Sequence, residues 1–437
     1  MEQVSMENPF SYGNPIRDPA RFHGRQAELR QIVNRLRSSA RESTSIVGER
    51  RIGKTSLLKY LAHPEVAPQL GLDPQAFCLV YIDFQGLTEI TPERFWQRVL
   101  RITAREACDQ GLQAEINALL AMDSYDLFDL EDLFEQISAY SRTVVLLLDE
   151  FEYVTQNPNF QSDFFGGLRA LAIHQNLVLV TSTRRELVDL CHSDEIKGSP
   201  FFNIFASVIL RPFLPDEAEA LVDAYIAEAG LSLSAAEEQA ILVLGGRYPF
   251  FVQMAGYHLV EFLNRDLSGN QLLQQTASAF DEQAAPHFQY LWSHCTESEK
   301  ISLLAVMSLN RQKPAKRTIP TLENLKRIHE RAWLDLPTLT RRGLILENVA
   351  KGTYQLFSPS LASWITREIA AEPGLEESPE SASAWVGAQD ADFITPVQGV
   401  LPVFKKKYWP VVSTVLQELS FELAGAATFE LLVKLLV

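Results

Sequence analysis

Apolar residues fall into two regimes along the chain. Up to about residue 213, short unbroken apolar runs alternate with amphipathic stretches; beyond it helical spacing prevails, apart from one short hairpin pattern. FHGRQAELRQIVNRLRSS (22–39) sets Leu29, Ile32, Val33 and Leu36 on one helical face. TSIVGE (44–49) predicts a strand that runs into a glycine-containing loop, and TSLLKYLA (55–62) a helix closed by Pro64. FCLVYIDF (77–84), TVVLLLDEF (143–151), NLVLVTSTR (176–184) and FASVILRPF (205–213) predict four more strands. Residues 92–140, most clearly LEDLFEQISAY, and FFGGLRALAIHQ (164–175) predict the intervening helices. Five apolar strands separated by helices imply an α/β fold: a mostly parallel sheet with helices on both faces.

After Pro215 the strand signal stops. DEAEALVDAYIAEAG, AAEEQAILVLGG and PFFVQMAGYHLVEFLNRD are three amphipathic helices, which predict a small helical lid over 214–285. Over 286–370, TESEKISLLAVMSL and TLENLKRIHERAW read as helices and LPTLTRRGL as a short one. LILENVAKGTYQLFSP follows as two strands around a Lys-Gly turn, which completes the pattern of a winged helix. Residues 1–21 read as an extended arm, 22–213 as the α/β domain, 371–404 as a linker and 405–437 as an amphipathic C-terminal helix. No repeat of 20–50 residues is visible, so no solenoid is expected.

Composition narrows the classes. At 437 residues, 46% hydrophobic and 22% charged, the chain is ordinary globular material for two to four domains. Collagen, wholesale disorder and a polytopic membrane protein are excluded. A net charge of −16 excludes a bulk nucleic-acid coat, so any nucleic-acid contact must be local. Four distant cysteines without a CxxC exclude a disulfide scaffold and argue against a zinc site; the Cys191-His192 and His294-Cys295 pairs read as coincidence. MEQVSMENPF lacks a basic n-region and an apolar h-region, so no signal peptide is expected and the cytoplasm is the default compartment.

One motif carries chemistry. Gly48-Glu49-Arg50-Arg51-Ile52-Gly53-Lys54-Thr55 matches GxxxxGK[ST] between an apolar strand and a helix. Such a loop leaves backbone N–H groups free to cradle phosphates at a helix N-terminus. Lys54 is expected to reach the β- and γ-phosphates, and the Thr55 hydroxyl to ligate Mg2+. VVLLLDE (144–150) supplies the partner: a buried strand with acids at its carboxyl end, where ligands sit in open α/β sheets. Asp149 is expected in the Mg2+ shell and Glu150 as the general base. Thr183 or Arg184, ending VTSTR, is a candidate γ-phosphate sensor, with a surface arginine as the alternative. Arg169 reads as a surface or structural arginine before an arginine finger. Of Arg50 and Arg51, one is expected to touch phosphate or a partner and the other to be solvated.

NPF and NPIRDPARFHGR at the N-terminus, GERRIGKTSLL, LLLDEFE and the later GGRYPFFVQ together resemble bacterial STAND-type P-loop NTPases. These are signal-transduction ATPases with an AAA-like core, close to archaeal-ATPase and Orc-like groups. The resemblance covers roughly residues 8–370. It implies that Phe22, Gly24 and Arg25 line the adenine side and that Gly48 to Ser56 wrap the phosphates. It also implies catalytic roles for Glu150, Lys54 and Arg184, with Thr183 beside Arg184 at the sensor position. Pro249 of the lid would pack near the base, although Gly245-Gly246-Arg247-Tyr248-Pro249 is one residue longer than the family's GG-x-P. ATP or ADP with Mg2+ is the implied cofactor set.

The family implies a switch: ADP holds a closed state, and ATP opens it and permits homo-oligomerisation after an unknown protein trigger. Two segments leave alternatives open. Residues 311–351 carry ten Lys or Arg against four acids. Lys316, Arg317, Lys326, Arg327, Arg341 and Arg342 are candidate contacts to duplex DNA, unless this region packs as a regulatory lid. Residues 371–392 hold six acids and no base. Lys405-Lys406-Lys407-Tyr408-Trp409 then precedes an apolar stretch with a polar stripe of Glu418, Glu422, Glu430 and Lys434. That stretch reads as self-docking, as membrane-surface binding or as the stub of an effector. The favoured function is an ATP-dependent molecular switch with slow hydrolysis. An Orc-like DNA-binding ATPase and a nucleotide-stabilised interaction protein with negligible turnover are the alternatives.

Overall fold

The computed structural model describes residues 7–107, 109–198, 200–311 and 319–371. The expected linker and C-terminal helix, along with Lys316 and Arg317, lie outside the described residues. The chain divides into two compact units: Gly13–Phe213, and residues up to Tyr12 together with those from Leu214 onward.

The Gly13–Phe213 unit begins with one 3-10 turn at Pro19–Arg21, then α1 (Gln26–Arg37), β1 (Ser43–Val47), α2 (Lys54–Leu61), the short α3 (Val66–Gln69) and β2 (Phe77–Asp83). It continues through α4 (Pro92–Glu106), α5 (Gln110–Leu120), α6 (Leu127–Ala139), β3 (Thr143–Asp149), α7 (Glu152–Thr155) and α8 (Ser162–His174). It ends with β4 (Leu177–Thr183), α9 (Asp194–Lys197) and β5 (Phe205–Ile209). The strands form one sheet in the order β2-β3-β4-β1-β5, every pair parallel. β3 and β4 are buried along their whole length, as their unbroken Val and Leu runs require in a sheet covered on both faces. All four apolar residues read on one face of α1 are buried.

Local chemistry sets the element ends. Thr91 caps α4 by accepting from the Arg94 N–H, with Pro92 in the first turn. Asp126 and Asp129 close a reciprocal capping box on α6. Between α4, α6, α8 and the sheet lies a core rich in phenylalanine; Phe84, Phe95, Phe134, Phe151, Phe160, Phe165 and Phe201 are all fully buried.

The second unit is helical at first: α10 (Pro215–Glu228), α11 (Ala235–Gly245), α12 (Pro249–Leu263) and α13 (Gly269–Ser293). The boundary expected at 285/286 falls inside α13, a 25-residue helix that runs through Pro286. The proline costs a backbone hydrogen bond. The helix persists because Phe280, Ala284, Phe288 and Leu291 stay buried on one stripe before and after it. Then come α14 (Glu297–Arg311), α15 (Leu322–Ile328), α16 (Ala332–Arg342), an antiparallel hairpin β6 (Ile345–Asn348) and β7 (Thr353–Leu356), and α17 (Pro359–Ala371). An isolated bridge joins Thr321 to Thr353. The helix read through Trp333 stops at Ile328, where His329 turns extended, and α16 starts earlier than the expected short helix.

Residues 7–12 belong to this second unit. Asn8 Nδ2 donates to Tyr257 O (2.9 Å) and Glu261 Oε1 (3.0 Å). Phe10 is 1% exposed, packed on the Cα side of Gly256 and against the Tyr225 ring. The N-terminal arm is therefore divided at Tyr12. The turn Gly245–Pro249 is built into the same unit. A Cβ on Gly246, whose φ is +56°, would lie 2.0 Å from Phe357 O, so only glycine admits that approach. Tyr248 Oη donates to Arg342 O (2.6 Å), and Ser358 Oγ to Leu244 O (2.8 Å).

Candidate functional site

The parallel register brings three strand ends level. Val47 of β1 pairs with Thr183 of β4, and Leu148 of β3 with Thr181. Gly48 N donates to Thr183 O at 3.1 Å and Phe151 N to Ser182 O at 3.0 Å, so the loops leaving β1 and β3 are both tied to the end of β4.

The phosphate loop is shaped by its small residues. A Cβ on Gly48 would meet Ile52 Cγ2 at 2.9 Å and Leu210 O at 3.0 Å. Gly53, at φ +105°, turns the chain into α2. Lys54 is 4% exposed, and its Nζ donates to Gly48 O (2.9 Å) and Glu49 O (3.3 Å), which holds the ammonium inside the loop's curl. Ile52 and Glu49 are buried, Thr55 and Ser56 half-buried, and Arg50 exposed. Arg51, at φ +69°, donates to Gly13 O at 3.4 Å. Ser56 Oγ accepts from Ile16 N at 3.1 Å.

Asp149 has no exposed surface, and its carboxylate is held from both neighbouring strands and by the residue that follows it. Ser182 Oγ donates to Oδ1, Glu150 N to the same oxygen at 3.1 Å, and Tyr81 Oη to Oδ2 at 3.0 Å. The Tyr81 phenol is pushed well up by burial and by the negative charge of Asp149. Glu150 stands in the left-handed region, at φ +53°, a costly place for a residue with a Cβ. Burial raises its carboxyl to about 7, with Glu152 and Asp149 pushing the same way and Lys54 and Arg184 opposing. Two cations and two acids therefore act on one half-buried acid at the strand ends.

Arg184 does not simply extend into solvent. Its Nε pairs with Glu152 Oε1 at 2.8 Å, and Glu152 is 1% exposed. Thr183 is buried, and its hydroxyl donates to the neighbouring Arg185 O at 2.7 Å. Arg25 is also turned inward: it is 3% exposed and donates to Ile52 O at 3.0 Å. It also pairs with Glu28 at 3.1 Å and lies over the Phe213 ring. It braces the phosphate loop from behind. Gly24 (φ +72°) and Arg25 (φ +66°) together make the turn into α1. Phe22 stacks on Tyr60 with ring centroids 4.2 Å apart.

The loop residues, Asp149, Glu150, Thr183 and Arg184 are thus gathered at one end of the sheet. Phe22, Gly24 and Arg25 lie on the segment braced against the loop, while Pro249 belongs to the other unit, as the first residue of α12. Sequence reading missed Tyr81, Ser182 and Glu152. Ser182 sits beside the predicted Thr183, and strand alternation puts the two on opposite faces. Arg169 lies half-buried on α8 with a buried Nε that has no hydrogen-bond partner among the described residues.

Among the candidate DNA contacts, Arg342 is corrected. It pairs with Glu299 at 3.0 Å with its side chain 11% exposed, so it ties α16 to α14 rather than facing solvent. Lys326, Arg327 and Arg341 are exposed. Among the described residues, no group of three or more His, Cys, Asp or Glu could hold a metal ion, and no helix is long and apolar enough to cross a membrane.

The sequence model of the family described as Novel STAND NTPase 2 matches residues 37–312. No curated protein matches the chain. Among solved structures, the Walker-type ATPase of Pyrococcus abyssi is 16% identical, with a TM-score of 0.51 over 81% of this chain and 98% of that one. The ORC2 protein of Aeropyrum pernix is 14% identical, with a TM-score of 0.49 over 83% and 98%. At 16% identity the likeness to the Pyrococcus abyssi ATPase is one of fold.

Proposed function

This chain belongs to the Novel STAND NTPase 2 family of P-loop NTPases, and we propose that it is an ATP-dependent molecular switch with slow turnover. The supporting observation is the meeting of buried Lys54 and buried Asp149 around Glu150 at the ends of β1 and β3. In this reading the loop Gly48–Ser56 wraps the phosphates through its N–H groups, and Lys54 leaves the Gly48 carbonyl for the β- and γ-phosphates. The donor set suits Mg2+: a hydroxyl from Thr55 and a carboxylate from Asp149, hard oxygens that leave room for phosphate oxygens and water. Bound Mg2+ would neutralise charge on the phosphates. Asp149, fixed by Ser182 and Tyr81, needs little reorganisation to serve.

Glu150 takes a proton from the water that attacks the γ-phosphorus, and the bond from that phosphorus to the β-bridging oxygen breaks. Thr183 and Arg184 stand at the sensor position. Phe22, Gly24 and Arg25 support the base side, with Arg25 acting through the loop it braces. Pro249, in the lid, reports nucleotide state. The ATP state favours homo-oligomerisation because its phosphate contacts differ between closed and open forms.

The test is the nucleotide carried by purified wild-type protein, released by denaturation and identified by chromatography. About one ADP per chain is expected, and none in Lys54→Ala. Glu150→Gln should bind ATP without cleaving it; normal turnover in that variant sinks Glu150 as base. Exposed Lys326, Arg327 and Arg341 favour a second reading, a DNA-binding ATPase that grips duplex through a winged helix of α14–α16 and the β6–β7 hairpin. Turnover stimulated by duplex, with a steep loss in salt, would select it over the switch.

A further inference from the structure

The run Asp149-Glu150-Phe151-Glu152 carries a third acid that the proposed hydrolysis does not use. The single turn of α7 brings it inside, and Glu152 is 1% exposed. Its Oε1 accepts from Arg184 Nε at 2.8 Å, while its Oε2 is buried with no hydrogen-bond partner among the described residues. Arg184 is unequally placed, with its side chain 30% exposed against 1% for Glu152. It also acts on Glu150, as Lys54 does, so its charge is felt where the terminal phosphate would be attacked. A buried carboxylate that depends on one guanidinium suffers when that partner leaves. A phosphate and a carboxylate compete for the same planar fork of donors.

We propose that Glu152 is a positioning residue that competes with the terminal phosphate for Arg184, and so sets the preference of the site for ATP over ADP. The inference rests on the reading of Arg184 as the γ-phosphate sensor. ADP, lacking the third phosphate, leaves the Arg184–Glu152 pair intact. ATP must draw Arg184 away and leave Glu152 charged and buried. Part of the affinity gained at the third phosphate is lost in breaking the pair, and this biases the resting protein toward its product.

The test is binding, with no turnover. Affinities for ADP and for a non-hydrolysable ATP analogue are measured with Mg2+ by displacement of a fluorescent ADP. Glu152→Gln keeps the shape and removes the charge; the ratio of ATP-analogue to ADP affinity should rise about tenfold, worth about 1.4 kcal/mol. In an Arg184→Gln background the same substitution should leave the ratio unchanged. Equal gains for both nucleotides, or no gain, overturn the competition. If Arg184→Gln alone leaves the wild-type ratio unchanged, the sensor reading itself fails and takes the inference with it. If Arg184→Gln lowers the ratio but Glu152→Gln does not raise it, only the inference fails. Should Glu152→Gln not fold, Glu152→Asp lengthens the pair and should shift the ratio the same way by a smaller factor.

Discussion

Replacing Glu150 with glutamine should make the empty protein more stable, and increasingly so as the pH rises. Burial lifts this carboxyl from the ordinary 4.5 to about 7. Between those values the folded state binds more protons than the unfolded one, so stability falls as pH rises through the window and the loss is complete above the folded value. At 1.36 kcal/mol per unit, the shift costs the folded protein about 1 kcal/mol at pH 5 and about 3 kcal/mol at pH 8. Glutamine is neutral throughout, nearly the same size, and bears the same backbone strain at φ +53°. The difference between the two proteins therefore isolates the charge. The assay is the urea midpoint of nucleotide-stripped protein in a metal chelator, read by exchange protection of the β3 amides. With a slope of about 2–3 kcal/mol per molar, the variant should gain about 1 M at pH 8 and much less at pH 5. Equal midpoints at both values, or a variant weaker than wild type at pH 8, would refute the argument that Glu150 is held as a desolvated acid.

The second unit supports three further predictions. Gly246→Ala drives a Cβ toward Phe357 O and should cost about 3–5 kcal/mol in thermal unfolding, whereas the control Gly166→Ala, in α8 of the Gly13–Phe213 unit with nothing within 4 Å, should be neutral or slightly stabilising. Asp335 accepts from Ser298 (2.7 Å), Ser302 (2.8 Å) and His329 (3.0 Å). Burial pushes its carboxyl up, but these bonds and the charge of His329 outweigh it and hold the group below its ordinary range. Its stabilisation is therefore present above about pH 4 and lost as pH falls through the depressed value. Asp335→Asn should cost about 2–4 kcal/mol at pH 7 and flatten that acid limb, as seen by circular dichroism. Phe10→Ala empties a buried ring site and should cost about 3 kcal/mol; unchanged melting would show that the Asn8–Tyr12 segment is not part of the packed unit.

Most of the sheet was legible because a strand buried on both faces must be written in unbroken apolar residues, and β3 and β4 are. The phosphate loop was legible because its glycines and lysine are adjacent in sequence. What escaped depends on register. Tyr81 pairs with Leu147, two residues before Asp149, yet a phenol is long enough to reach along the strand to that carboxylate. Ser182 reaches it from another strand, and nothing within VTSTR marks which residue points there. Arg342 read as a surface base because charge counts ignore partners, and its partner Glu299 is 43 residues away. The division at 285/286 rested on a change of element pattern, and that pattern does not show that one helix, α13, runs across it.

The length of α13 has a mechanical consequence. Twenty-five residues of unbroken helix make a beam of about 37 Å within one unit. The turn at Gly246, locked against Phe357, fastens α11 and α12 to the β6–β7 hairpin. The hydrogen bonds from Tyr248 to Arg342 and from Ser358 to Leu244 tie the same turn to α16 and to the residues that follow the hairpin. A substitution at Gly246 is therefore felt on both sides of that contact, at the turn before Pro249 and at the end of the hairpin.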